Sequence, residues 1–84
     1  MPSPHSAREA ILALAAERGP GKTFCPSEAA RRMAEDWRPL MPEIRRVADA
    51  LAAQGRLRIT RGGETVEAET ARGPIRLGLP GGAP

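Results

Sequence analysis

At 84 residues with a single cysteine, the chain is one small domain without an internal disulfide. One histidine and one cysteine cannot supply the ligands of a nitrogen/sulfur metal site, and no apolar run approaches a membrane span of about 20 residues. The net charge of +3 is small but uneven: residues 42–62 carry +3 by themselves, with Arg45, Arg46, Arg56, Arg58 and Arg61 against Glu43 and Asp49, which points to a polyanion as partner of that segment.

In chain order, Ser6 and Glu9 form an S-x-x-E capping box ahead of Ile11, Leu12, Leu14 and Ala15, so a first helix is expected over residues 7–18. Gly19-Pro20-Gly21 ends it, and Lys22-Thr23-Phe24 can form one extended bridge. Pro26 suits the first position of a second helix, capped by Cys25 or Ser27 and with Glu28 in its first turn. Ala29, Ala30, Met33 and Ala34 line its inner face, and Asp36-Trp37-Arg38-Pro39 breaks it, because a residue before proline is pushed away from helical angles.

Pro42 opens a third helix whose Ile44, Val47, Ala48 and Leu51 recur at i, i+3, i+4 and i+7, and Gly55 stops it. After Gly55 the period changes from 3.6 to 2. Leu57 and Ile59 alternate with Arg56, Arg58 and Thr60, and Ile75-Arg76-Leu77-Gly78-Leu79 repeats the alternation. The two runs are expected to pair antiparallel across a loop or wing at residues 62–74, with a helical turn near Ala68–Ala71. The large apolar residues of these elements, from Ile11 to Leu79 and including Leu12, Met33, Trp37 and Leu40, are the expected core.

This order outlines a mainly α domain with a small β-hairpin, a winged helix-turn-helix of three helices and a two- or three-stranded antiparallel sheet spanning residues 6–79. Residues 1–5 and 80–84 are expected to be flexible ends. The stretches Glu17-Arg18-Gly19-Pro20-Gly21-Lys22-Thr23, Cys25-Pro26-Ser27-Glu28, Asp36-Trp37-Arg38-Pro39-Leu40-Met41-Pro42 and Arg72-Gly73-Pro74-Ile75-Arg76 resemble those of a small, functionally uncharacterised bacterial winged-helix family. The resemblance implies a fold and no activity, and no family site residue comes with it.

No residue cluster announces a reaction. Ala16-x4-Gly21-Lys22-Thr23 resembles a phosphate loop, but that motif needs a strand before it and a helix after it. Here a helix precedes and an extended segment follows. Cys25 and His5 lack an orienting carboxylate, so Cys25 is expected to cap or pack, and neither an enzymatic role nor a cofactor is expected. Trp37 is expected to plug the gap between the second and third helices. With two aromatics in all, the chain is poor in the stacking surface that single-stranded RNA requires.

The favoured partner is therefore double-stranded DNA, met in the cytoplasm, since Met1–His5 shows no basic then apolar leader. The third helix would enter the major groove. Arg45 and Arg46 near its start, Arg38 before it, and Arg58 and Arg61 at the wing are the candidate contacts. Glu43 and Asp49 oppose phosphates on the same helix. The alternative is a protein-interaction or homodimer module, to which Ala50 and Ala53 would offer a smooth helical strip.

Overall fold

The helix-forming and strand-forming stretches of the sequence settle into three α-helices, α1 (Pro4–Arg18), α2 (Pro26–Met33) and α3 (Met41–Ala53), and four short strands, β1 (Thr23–Phe24), β2 (Arg58–Arg61), β3 (Glu64–Thr65) and β4 (Arg76–Gly78). A 3-10 turn, Arg38–Leu40, leads into α3. The structure is a computed structural model that describes residues 4–80. Of the expected flexible ends, residues 1–3 and 81–84 lie outside the described residues, whereas Pro4 and His5 already belong to α1. The helix thus starts before Ser6, because proline is tolerated in a first turn whose N–H groups are unpaired anyway.

Helix α1 buries Ala7, Ile11, Leu14 and Ala15, a stripe at i, i+4, i+7 and i+8 that packs on both α2 and α3. Cys25 is the N-cap of α2, with extended angles of φ −81° and ψ 147°. Its N–H donates to the Glu28 carboxylate at 2.9 Å, so Glu28 satisfies a backbone donor that the helix itself leaves free. Ala29 and Ala30 are fully buried, which lets α2 approach its neighbours closely. On α3 the expected stripe of Ile44, Val47, Ala48 and Leu51 is buried. Beyond it, Gly55 N–H donates to Ala52 O at 3.0 Å and Arg56 N–H to Leu51 O at 2.9 Å, the paired bonds of a Schellman end.

The sheet is antiparallel throughout, in the order β1-β4-β2-β3. The expected pairing of β2 with β4 forms, as does the bridge at Thr23–Phe24. The sheet has four strands where two or three were expected, and the wing differs from the expected long loop. Gly62 and Gly63 have φ of +57° and +87°, the positive pair that a two-residue hairpin turn demands. The chain therefore reverses at once into β3, with Thr60 opposite Thr65 and Arg61 opposite Glu64. The return segment carries the expected turn, closed by Ala71 N–H to Glu67 O at 3.0 Å.

Phe24, Leu77 and Ile59 stand side by side on β1, β4 and β2 and are at most 1% exposed. This row faces the helices and closes the core. Leu12, Met33, Trp37, Leu40 and Leu79 prove only half-buried at its margin, while Ala7 and Ala68 are fully buried. Ala68 is there because the wing's return segment folds onto α3.

Candidate functional site

The outward face of α3 carries Glu43, Arg45, Arg46 and Asp49, and each is engaged within the protein. Arg46 donates to both carboxylate oxygens of Glu43, at 2.8 and 3.3 Å. The hydrogen-bonded Glu43 carboxylate raises the Arg46 pKa, as an opposite charge beside a guanidinium does. Arg45 donates from Nη1 to Ala68 O at 2.7 Å. One turn further on, Asp49 accepts from the N–H groups of Ala68 and Glu69 at 2.6 and 2.9 Å. Arg45 and Asp49, four residues apart on one helical face, thus clamp the turn that follows the wing. Glu69 lies beside Met41, Pro42 and Arg45 in a shallow hollow at the start of α3. Three carboxylates and two guanidiniums therefore share this face.

The other arginines singled out in the sequence are dispersed. Arg61 donates to Arg72 O, tying β2 to the segment before β4. Arg38 lies over the Trp37 ring at 4.7 Å from its centroid, and Arg31 of α2 lies at 4.8 Å. Trp37 is not a buried plug. Its ring is half-buried against the core margin, and two cations occupy its π surface. Both cations compete with a base for the ring. Of the five candidate residues, the side chain of Arg58 alone makes no hydrogen bond, ion pair or ring contact among the described residues.

Arg58 belongs to a different surface. Strand alternation turns Thr23, Arg58, Thr60, Thr65, Arg76 and Gly78 away from the helices, and the register sets Thr23, Gly78 and Arg58 in one row and Arg76, Thr60 and Thr65 in the next. No carboxylate occupies any of these positions. Arg76 donates to Thr23 Oγ1 at 2.9 Å, to Thr23 O at 3.1 Å and to Cys25 Sγ at 2.9 Å, neutral partners that leave its charge uncompensated. Lys22, which runs into β1, is exposed, and its side chain has no partner among the described residues.

The middle of the first row, Gly78, has no side chain and is itself buried. A Cβ on Gly78 would sit 2.9 Å from Lys22 O and 3.3 Å from Thr23 Cγ2, so only glycine lets the chain cross this closely. The result is a groove of about 240 Å³ on the outer face of the sheet, walled by Lys22, Thr23, Arg58, Thr60 and Leu79 and ending at Gly63 of the wing turn. Lys22 and Arg76 were absent from the sequence candidates. Their signal was the alternation of β4, which sends Arg76 and Gly78 to one side, but only the pairing of β1 with β4 brings Lys22 to the same place.

Among the described residues, no group of three or more His, Cys, Asp or Glu side chains is arranged to hold a metal, and no helix is long and apolar enough to cross a membrane. A family model described as "Protein of unknown function (DUF3253)" matches residues 4–80. No curated protein matches the sequence.

Proposed function

The chain belongs to the DUF3253 family of proteins of unknown function, and from its surface we propose that it binds duplex DNA through the phosphate backbone, with little selection among bases. One observation carries this reading. The outward sheet positions and the adjoining Lys22 offer three cations, Lys22, Arg58 and Arg76, with no carboxylate among them. Phosphate contacts supply affinity and register, whereas base contacts supply specificity. Helix α3 has little to read bases with, since Arg45 and Arg46 are held by Ala68 and Glu43.

A titration of a labelled random duplex at several salt concentrations tests the proposal. Three phosphate contacts give a slope of log affinity against log salt near −2.7, at about −0.9 per contact, with binding in the ~10⁻⁴ to 10⁻⁶ M range at physiological salt. The Lys22→Ala, Arg58→Ala double variant should flatten the slope by about 1.8. If the slope responds instead to Arg45→Ala with Arg46→Ala, the contact surface is α3. If no duplex binds at low salt, the reading fails.

A second reading, a homodimer contact through α3, is favoured by the exposure of Ala50 and Ala53 beside the compensated Arg46–Glu43 pair. Small residues permit close helix approach. Sedimentation that shows a dimer abolished by Ala50→Glu would support it.

A further inference from the structure

We propose that the groove on the outer face of the sheet is a binding site for a single phosphoryl group. The inference does not depend on duplex binding. It rests on three features of the groove taken together. Lys22 and Arg58 both line it, and neither side chain has a hydrogen bond or ion pair among the described residues. Two like charges on one concave surface repel each other, and a bound dianion removes that repulsion while satisfying both. No carboxylate lines the groove to compete for them.

The second feature is the supply of directed donors. Thr23 Oγ1 already accepts from Arg76 Nε at 2.9 Å, so its own O–H is left to donate elsewhere. Thr60 adds a second hydroxyl on the wing side. A phosphoryl group presents three acceptor oxygens, which an ammonium, a guanidinium and hydroxyls match in kind.

The third feature is room. In the row Thr23–Gly78–Arg58 the middle position has no side chain, and neighbouring strands lie about 4.8 Å apart. The end side chains therefore stand roughly 10 Å apart, with Lys22 O and the Thr23 methyl close over the glycine between them. At about 240 Å³ the groove is below the ~300 Å³ lower bound of pockets that enclose drug-sized ligands. It suits one phosphoryl group and its ester oxygen, not a whole nucleotide. This is also not a phosphate loop: Lys22 leads into a strand, and α2 begins only at Pro26. Such a phosphoryl group belongs equally to a nucleic-acid backbone and to a small phosphate ester, and the chemistry at the groove is the same.

The test is an NMR titration of isotope-labelled full chain with inorganic phosphate and then pyrophosphate, at ionic strength held constant with chloride. Saturable shifts are expected at the amides of Lys22, Thr23 and Gly63 and at the Arg58 side chain. The Lys22→Ala, Arg58→Ala double variant should weaken binding at least tenfold. Both side chains are exposed and unpaired, so that variant should keep the native melting temperature, and Arg31→Ala, beside Trp37, should leave the affinity unchanged. Shifts that do not saturate, that spread over all the arginines, or that persist in the double variant would overturn the site. Adding a short duplex then separates the sources. Displacement of bound phosphate assigns the groove to the nucleic-acid backbone. Saturable phosphate binding that duplex does not disturb assigns it to a small phosphate ester, and in that case the duplex proposal fails while the site stands.

Discussion

The outward face of α3 and the outward face of the sheet hold similar numbers of basic side chains and treat them in opposite ways. On α3, Arg45 and Arg46 are held by a backbone carbonyl and a carboxylate, and Asp49 and Glu69 add negative charge beside them. On the sheet, Lys22 and Arg58 meet no partner among the described residues, and Arg76 meets only neutral ones. The cause lies in what each face packs against. A helix flanked by a folded-back loop offers that loop's backbone groups and carboxylates to its own side chains, whereas the outer face of the sheet offers Arg76 only neutral partners and Lys22 and Arg58 none. A cation's value to a partner thus depends less on its number in the chain than on whether the fold has already used it.

The largest effect is expected where the sheet's presentation depends on its inner row. Leu77, flanked by Phe24 and Ile59 and fully buried, should cost about 2–5 kcal/mol as Leu77→Ala. At about 4–8 °C per kcal/mol for a domain of this size, calorimetry would register a drop of at least about 8 °C. A smaller change would mean that the outer face does not owe its shape to this packing. Next comes the clamp on α3. Asp49→Ala removes two bonds from a charged acceptor to the turn amides and should cost about 1.5–3 kcal/mol. Hydrogen exchange at the Ala68 and Glu69 amides should rise by more than that at Leu51, and unchanged exchange there would break the contrast between the two faces.

Two smaller effects sharpen it. Arg46→Ala removes one member of an exposed pair at i, i+3, so melting should stay within measurement error, and DNA affinity should fall far less than in the Lys22→Ala, Arg58→Ala variant. A larger loss of affinity would restore α3 as a binding surface. Last, Arg32 of α2 donates to both carboxylate oxygens of Glu17 on α1, each at 2.6 Å, and this hydrogen-bonded guanidinium holds the Glu17 pKa below the usual carboxylate range. The pair's contribution is full above the unfolded carboxylate pKa of about 4.3 and is lost as pH falls through the lower, folded value. Glu17→Gln should therefore shrink the melting-temperature decline in acid while leaving both binding faces untouched. An unaltered acid decline would show that the pair adds nothing measurable.

Some of this architecture was legible residue by residue. The stripe Ile44, Val47, Ala48 and Leu51 and the alternation around Ile59 and Leu77 gave α3, β2 and β4, because burying one face forces apolar residues into the period of the element. Cys25-Pro26-Ser27-Glu28 marked the start of α2 through backbone needs that exist before any tertiary contact. Strand β3 was not legible, since Glu64 and Thr65 are both exposed and a two-residue polar strand has no alternation to detect. Nor was the margin of the core. Trp37 is apolar, yet whether it becomes a plug or a platform for Arg31 and Arg38 depends on how the chain between α2 and α3 packs.

By itself, then, the sequence determined the helices, two of the principal strands and the winged-helix order in which they follow one another, because periodicity, proline, glycine and capping act over a few residues. It also determined that residues 42–62 hold an excess of three positive charges. Only the tertiary structure decided what that excess is worth. Folding lays the turn at Ala68 across Arg45 and Asp49, pairs Arg46 with Glu43, and sends Arg58 to the other side of the domain, where the β1–β4 pairing adds Lys22 and Arg76 from distant parts of the chain. Charge counted along a segment is a sum over neighbours in sequence, whereas a ligand meets a sum over neighbours in space. The two sums part wherever a long-range contact neutralises one cation or leaves another bare.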